Sequence, residues 1–313
     1  MKSIDVSIII PCFNGSKFLP KLAESLRPLL TDRVEIILVD DGSTDGSPEL
    51  FQKLLPEAIC LKQTNSGPGA ARNRGADKAR GEFLQLLDAD DTLEPGKFAA
   101  QVTFARERKL DVVYSDWRMV VVDGDSVVVE PWVRAEARKE IVEALLGGWW
   151  FSTGAALVRA KAYQATGGCD ETLLNTCDDF DLWVRLGIAG FRFGYVPGQF
   201  ANYYRYKRVR SISRADRKNF LEGESRIILK AVALLEKQGE ATPVRRRAAA
   251  KRLHAVARNV FVIDKSWYRE LMREVRRLDP EFKPVGSLIY RLTSKCLGME
   301  TAENLAVWKR NLV

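Results

Sequence analysis

A chain of 313 residues with 46% hydrophobic content can bury a substantial core, enough for one large domain with an appendage or for two domains. Its five cysteines (Cys12, Cys60, Cys169, Cys177 and Cys296) are scattered, odd in number and without a CxxC pair, which argues for a reducing compartment and against a zinc or disulfide framework. The net charge of +8 sits in the last third: residues 1–213 carry 27 basic against 29 acidic side chains, residues 214–313 carry 22 against 12.

The first apolar run, Val6 to Ile10, is far too short for a signal peptide or a membrane span, and no later window approaches a spanning helix. It reads as a buried strand, Val6–Pro11, closed by Asn14 and Gly15. A helix is expected over Phe18 to Leu30, then a strand over Val34–Val39 running into Asp40, Asp41 and Gly42. Ser47-Pro48 starts a second helix, Ala58–Leu61 is a third strand, and Asn65–Gly69 turns into a helix carrying Arg72. Phe83–Leu87 is the fourth strand. This alternation with short links predicts an α/β fold with a largely parallel sheet of nucleotide-binding type.

That fourth strand ends in Asp88, Ala89, Asp90 and Asp91. Carboxylates crowded at a strand mouth raise one another's pKa, and a divalent cation such as Mg²⁺ or Mn²⁺ removes that cost. The carboxyl ends of strands are also where open α/β sheets bind ligands. The plainer alternative is that the acids cap a helix beginning near Pro95, for which one Asp would suffice.

Beyond Lys109 a strand is expected at Val112–Ser115, then a hairpin of Met119–Val122 and Val127–Val129, which makes the sheet mixed. Gly147–Phe151, GGWWF, either presents aromatic faces suited to sugars or lipids or is plain core. Strands follow at Thr153–Val158, Phe193–Val196 and Phe200–Tyr204, with a helix from Asp179. Asp178 and Asp179 occupy its first turn, where the dipole keeps carboxylates ionised, so Asp179 is a candidate general base for an alcohol as well as a capping residue. No GxxxxGK[ST] motif occurs, and Gly67-Pro68-Gly69-Ala70-Ala71-Arg72 is a poor dinucleotide fingerprint. Phosphate would then be held by metal, arginines and helix N-termini. A strand-end acid at Asp41, the metal-like Asp88/Asp90 pair and the base candidate Asp179 fit a nucleotide-diphosphate donor. One base without a carboxylate nucleophile favours single displacement with inversion.

Six segments in consistent order, VSIIIPCFNG (Val6–Gly15), VDDGSTDGS (Val39–Ser47), GPGAARNRG (Gly67–Gly75), LLDADD (Leu86–Asp91), GGCDETL (Gly167–Leu173) and DDFDLWVRL (Asp178–Leu186), resemble glycosyltransferase family 2 over about residues 4 to 213. The resemblance implies a GT-A fold, a nucleotide-sugar donor (UDP favoured), a divalent metal (Mn²⁺ or Mg²⁺) and inversion. By position it implies that Pro11 and Asn14 line the nucleoside pocket, that Asp41 meets the nucleobase, and that Arg72 lies near base or phosphates. Asp88 would approach ribose and metal, Asp90 would bind the metal, and Asp179 would be the catalytic base, with Asp178 standing where relatives carry Glu. Many relatives carry His at the position of Arg208, which would hold diphosphate but ligate no metal.

Beyond Ser213 the chain turns helix-rich and basic. Arg245–Arg247, Lys251-Arg252 and Arg276-Arg277 lie among apolar residues, and His254, the only histidine, reads as a surface residue. A solvated helical or oligomer-contact region, attraction to an anionic membrane, and nucleic-acid binding are the three readings; no nucleic-acid motif supports the last. The expectation is an inverting, metal-dependent glycosyltransferase (residues 1–213) with a helical C-terminal region (214–313), acting in the cytoplasm or peripherally at the inner membrane face on a glycan or lipid-linked hydroxyl acceptor in polysaccharide assembly. The alternatives are a catalytically silent nucleotide-sugar-binding scaffold and a nucleotidyltransferase.

Overall fold

The computed structural model describes residues 3–173, 177–208 and 216–310. Strand β1 (Val6–Cys12) is buried along its whole length. It pairs in parallel with β2 (Val34–Asp40) on one side and β4 (Phe83–Leu86) on the other, and β3 (Ile59–Lys62) extends the sheet beyond β2. Continuous apolar runs form β1, β2 and β4 because helices cover them, while β3 is only partly buried. The connecting helices are α1 (Leu19–Leu26), α2 (Ser47–Leu54) and α3 (Pro68–Lys78). The α1 run stops short of Leu30 because Arg27–Leu29, with Pro28 inside, tightens into a 3₁₀ turn. Gly75 lets α3 lie close on β1, where a Cβ would fall 2.4 Å from Ile9 Cγ2.

Among the described residues, the sheet continues from β4 through β8 (Ala156–Arg159), β6 (Val112–Asp123) and β9 (Phe193–Tyr206) to the two-residue β5 (Thr92–Leu93), with β7 (Ser126–Val129) paired to β6. The mixed sheet expected from the sequence is therefore present, with its antiparallel pairs confined to this second half. Three expected boundaries differ. Each of the two long strands was expected as two short ones, broken near Asp116 and Gly198; bulges absorb both interruptions, and β6 and β9 run on in parallel from Val112↔Phe193 to Val122↔Tyr206. Thr153–Ala155 form a 3₁₀ turn, so β8 begins only at Ala156. Flanking helices here are α4 (Lys97–Arg108), α6 (Ala160–Ala165) and α7 (Asp178–Ile188).

The chain leaves β1 toward β2 and β3, then returns to β4 on the other side of β1. That reversal opens a crevice at the carboxyl ends of β1 and β4, which is where open α/β sheets bind ligands.

The chain divides into two units, one of Met1–Ile141 with Trp150–Ala215, the other of Val142–Trp149 with Asp216–Val313. Helix α5 (Ile141–Leu146), all but its first residue, belongs to the second unit with α8 (Arg217–Lys237), α9 (Pro243–Val260), α10 (Lys265–Leu278), α11 (Leu288–Leu297) and α12 (Met299–Arg310). Side chains of Asp216, Thr242, Asp264 and Ser287 cap α8 to α11 by accepting from backbone N–H groups of each first turn. The core is built from Ile227, Ile228, Leu235, Leu253, Val260, Leu271 and Val275. His254 is not a surface residue: it is 2% exposed, packed on Phe282 with its Nε2 3.3 Å from the Tyr290 hydroxyl. It lies on the same helical stripe as Ala250, Ala257 and Leu253, and the basic residues around it hid that stripe. Burial, aided by Arg258, pushes its pKa down to about 4.

Candidate active site

The loops after β1 and β2 are tied together by short polar side chains. Asn14, in the left-handed region at φ 49°, accepts from the Thr44 N–H at 2.9 Å, and the Gly15 N–H donates to Ser47 Oγ at 3.0 Å. Asp45 accepts from the Ser16 N–H and from Ser47. Pro11 is buried within β1, opposite Val39. Asp41, 3% exposed, accepts from Gln63 Nε2 (2.8 Å), Ser66 N–H (2.8 Å) and Gly67 N–H (2.9 Å). Its carboxylate therefore anchors the turn in which Gly67, at φ 90°, starts α3. Three donors leave a carboxylate at least one further acceptor site.

Arg72 joins two acidic segments that lie about ninety residues apart in the sequence. From the second turn of α3 its buried guanidinium forms ion pairs with Asp88, at the end of β4, and with Asp178, in the first turn of α7. Burial alone would lower the guanidinium's pKa, but Asp178 and Asp88 hold it well above its ordinary value. It is a fixed charge.

Beside this bridge stands Asp179. Its Oδ2 accepts from Thr153 Oγ1 at 2.5 Å, and its Oδ1 accepts from the Phe180 N–H at 2.7 Å. Burial, and then Asp178 alongside, push its pKa up against the opposing pull of the Thr153 hydrogen bond and Arg72. The result is a carboxylate with a greater appetite for a proton than an exposed Asp. Asp181 looks away to Arg185, which also donates to the Thr166 and Gly168 carbonyls, so its role is structural.

On the β4 side, burial and the neighbouring Asp88 push Asp90 up to about 7. Asp91 is 2% exposed and raised by burial, Asp90 and Asp88, although the Tyr204 N–H donates to its Oδ1 at 2.8 Å. The crowding expected from DADD is thus real, and the capping alternative does not account for it: α4 starts at Lys97 with no side-chain cap. Among the described residues, no three acidic, thiol or imidazole groups form a complete cation cage. Asp88 and Asp90 do suit a site completed by substrate phosphate, since Mg²⁺ commonly takes one or two carboxylates plus phosphate oxygens. The strain of two adjacent carboxylates is what a cation would relieve.

Arg208 lies two residues beyond β9, 73% exposed at its side chain, with Nε 3.0 Å from Asp123 Oδ1 at the β6–β7 turn. Arg72, Asp88, Asp178 and Asp179 are brought together, Asp41 and Asn14 stand in the neighbouring loops with Pro11 in β1 ahead of them, and Arg208 is paired with Asp123. Sequence reading placed Thr153 only at the start of a strand and gave it no part in the site. Its signal was thin: a hydroxyl residue following an aromatic pair, with nothing local to connect it to Asp179.

The model of glycosyl transferase family 2 matches residues 7–165, which take in the first two loops, Arg72 and the DADD run, while Asp179 lies past the match. The amylovoran biosynthesis glycosyltransferase AmsB of Erwinia amylovora is 28% identical over 224 residues, covering 67% of this chain and 73% of that protein. A chondroitin synthase of Escherichia coli is 29% identical over 209 residues, 65% of this chain but only 29% of that protein. Among solved structures, S. aureus TarS 1-349 matches with a TM-score of 0.66 at 16% identity, covering 99% of this chain and 92% of that one. Its complex with UDP-GlcNAc matches at 0.61 and 18%, covering 98% and 92%. At such identities the structural likeness speaks for the fold, while the family model spans half the sequence and the elements that build the crevice. The chain belongs to glycosyl transferase family 2.

Proposed function

We propose that this protein transfers a sugar from a UDP-sugar to a hydroxyl acceptor with inversion, in the assembly of a polysaccharide or glycan, with Asp179 as general base. The observation that carries the reading is Asp179: a carboxylate of raised proton affinity, oriented by Thr153 beside the Arg72-bridged acids. UDP is favoured because a structural neighbour binds UDP-GlcNAc, and glycan assembly because relatives are named for amylovoran and chondroitin. In the reaction the acceptor O–H gives its proton to Asp179 as its oxygen forms the bond to the anomeric carbon. The bond from that carbon to the diphosphate oxygen breaks, and UDP leaves. Asp178 is occupied by Arg72, so a covalent sugar–carboxylate intermediate on it is disfavoured, and one displacement inverts the centre.

Asp41, Asn14 and Pro11 belong to the nucleoside side in this reading, and Arg72 to the diphosphate side. Asp90 and Asp88 would hold a divalent cation, Mn²⁺ or Mg²⁺, which supplies charge neutralisation for the leaving diphosphate. For Arg208 the ion pair with Asp123 argues against a resting diphosphate contact.

Peripheral contact with an anionic membrane is the second part of the proposal. None of the described helices is long and apolar enough to cross a membrane. Several of the arginines expected to attract lipid are engaged with acids inside the unit: Arg245 with Glu240, Arg246 and Arg277 with Glu236, Arg252 with Glu224. Helix α11 is the better element. It turns Tyr290 inward, while Leu288, Ile289 and Leu292 are 53 to 68% exposed beside the exposed Arg291 and Lys295. An outward apolar stripe edged with cations suits the headgroup boundary.

Calorimetry with UDP and Mn²⁺ tests the site assignment. Asp90→Ala is expected to abolish the metal-dependent part of UDP binding, and Asp179→Asn to keep UDP binding while losing transfer. The assignment fails if Asp179→Asn loses UDP affinity and Asp90→Ala does not.

A further inference from the structure

Three aromatic rings from distant parts of the first unit meet at the rim of the acids. Trp117 on β6 and Trp150 lie with centroids 4.5 Å apart at 43°, and Tyr203 on β9 stands edge-on to both, at 6.3 Å and 90° from Trp117 and at 6.2 Å and 81° from Trp150. Trp117 is 4% exposed, whereas Trp150 is 45% exposed. An aromatic trio normally closes a core; here its outermost member keeps nearly half its surface in water.

The location is informative. Trp150 precedes Thr153 by three residues, a span of at most about 10 Å, and Thr153 holds Asp179. Tyr203 adjoins Tyr204, whose N–H is bonded to Asp91. The phenol of Tyr203 is pushed up to about 12 by burial and by the fields of Asp91, Asp88, Asp90 and Asp179. The trio is therefore on the β6–β9 side of the carboxylates, whereas Asp41, Asn14 and Pro11 lie across β4 on the β1–β2 side. A ligand stacked on Trp150 would not be the donor's nucleobase. Its place is that of the second substrate.

We infer that Trp150, backed by Trp117 and Tyr203, is the platform for a sugar ring of the acceptor, holding one hydroxyl toward Asp179. The inference rests on the transferase reading above and specifies what that reading leaves open, namely that the acceptor's reacting end is a carbohydrate. The C–H face of a pyranose offers an aromatic ring apolar contact while its hydroxyls stay available for polar partners, and sites of this kind combine aromatic walls with a few placed polar groups. No covalent role falls to Trp150; it positions.

The test uses the full chain with UDP and Mn²⁺, and saturation-transfer NMR against a panel of methyl α- and β-glycosides of glucose, galactose, N-acetylglucosamine and N-acetylgalactosamine. At least one glycoside is expected to show transfer concentrated on the C–H protons of one ring face. Trp150→Ala is expected to weaken its binding about tenfold, Trp150→Phe to stay within about threefold of the parent, and UDP affinity by calorimetry to be unchanged in both. Undiminished glycoside binding in Trp150→Ala overturns the platform, as does a parent protein that binds UDP but no glycoside of the panel. A parent protein that binds neither UDP nor glycoside removes the donor reading and the platform together.

Discussion

Thr153→Val offers the sharpest test of how Asp179 works. The substitution keeps the shape of a 6% exposed side chain and removes one O–H, the donor 2.5 Å from Asp179 Oδ2. That hydrogen bond favours the ionised carboxylate, opposing burial and Asp178, which favour the protonated one. Losing the bond must therefore raise the pKa further. A hydrogen bond to a charged group contributes roughly 1.5–3 kcal/mol, and about 1.4 kcal/mol corresponds to one pH unit. Water can replace part of the lost bond, so the low end applies and the expected shift is about one unit upward. The assay is the pH profile of kcat with saturating UDP-sugar, whose acidic limb reports the base in the substrate complex. In the variant, activity should be lost at a higher pH as the solution is acidified, with the plateau at alkaline pH largely preserved. An acidic limb that does not move would refute the reasoning, because Asp179 would then not be the titrating base or Thr153 would not be its partner.

Two further expectations concern stability. Arg72→Met leaves Asp88 and Asp178 facing each other without their shared cation; the expected loss in urea unfolding of the first unit is about 3 kcal/mol, the low end for a broken buried pair because Asp88 is a third exposed. A loss below about 1 kcal/mol would mean the bridge is electrostatically idle. His254 makes the second unit acid-sensitive. Its folded pKa of about 4 lies below the ordinary 6.5, so between those values the unfolded chain takes up a proton that the folded one refuses. Stability should be intact above pH 6.5, fall as pH drops toward 4, and lose about 3 kcal/mol in all. Arg258, Tyr290 and Glu303 face the ring and its neighbours, with Arg258 reinforcing the effect. Calorimetric melting of His254→Phe between pH 7 and 4.5 should show a smaller decline for that unit; an identical decline would assign the acid sensitivity elsewhere.

Much of the acid-lined crevice was legible because its signals are local. A strand buried on both faces announces itself as an unbroken apolar run, and acids that follow such a run necessarily stand at its carboxyl end. Asp41, Asp88, Asp90 and Asp91 were therefore placeable from Val34–Val39 and Phe83–Leu87 alone. The first turn of α7 was equally readable, with Asp178 and Asp179 ahead of an amphipathic stretch. The C-terminal region declared itself helical through apolar residues set among basic ones, yet the same stretch concealed His254, since a basic neighbourhood says nothing about which stripe of a helix is covered.

What the sequence by itself determined, then, is which segments form strands and helices and which polar residues stand at their ends, for these follow from periodicity and turn chemistry within a few residues. Which of those ends meet was decided by tertiary structure. Arg72 reaches both Asp88 and Asp178, Thr153 reaches Asp179, and Trp150 lies against Trp117 and Tyr203. Each of these contacts depends on the order β1-β4-β8-β6-β9 across the sheet. Strand order is fixed by the burial and hydrogen bonding of the whole sheet at once, and no window of sequence contains it.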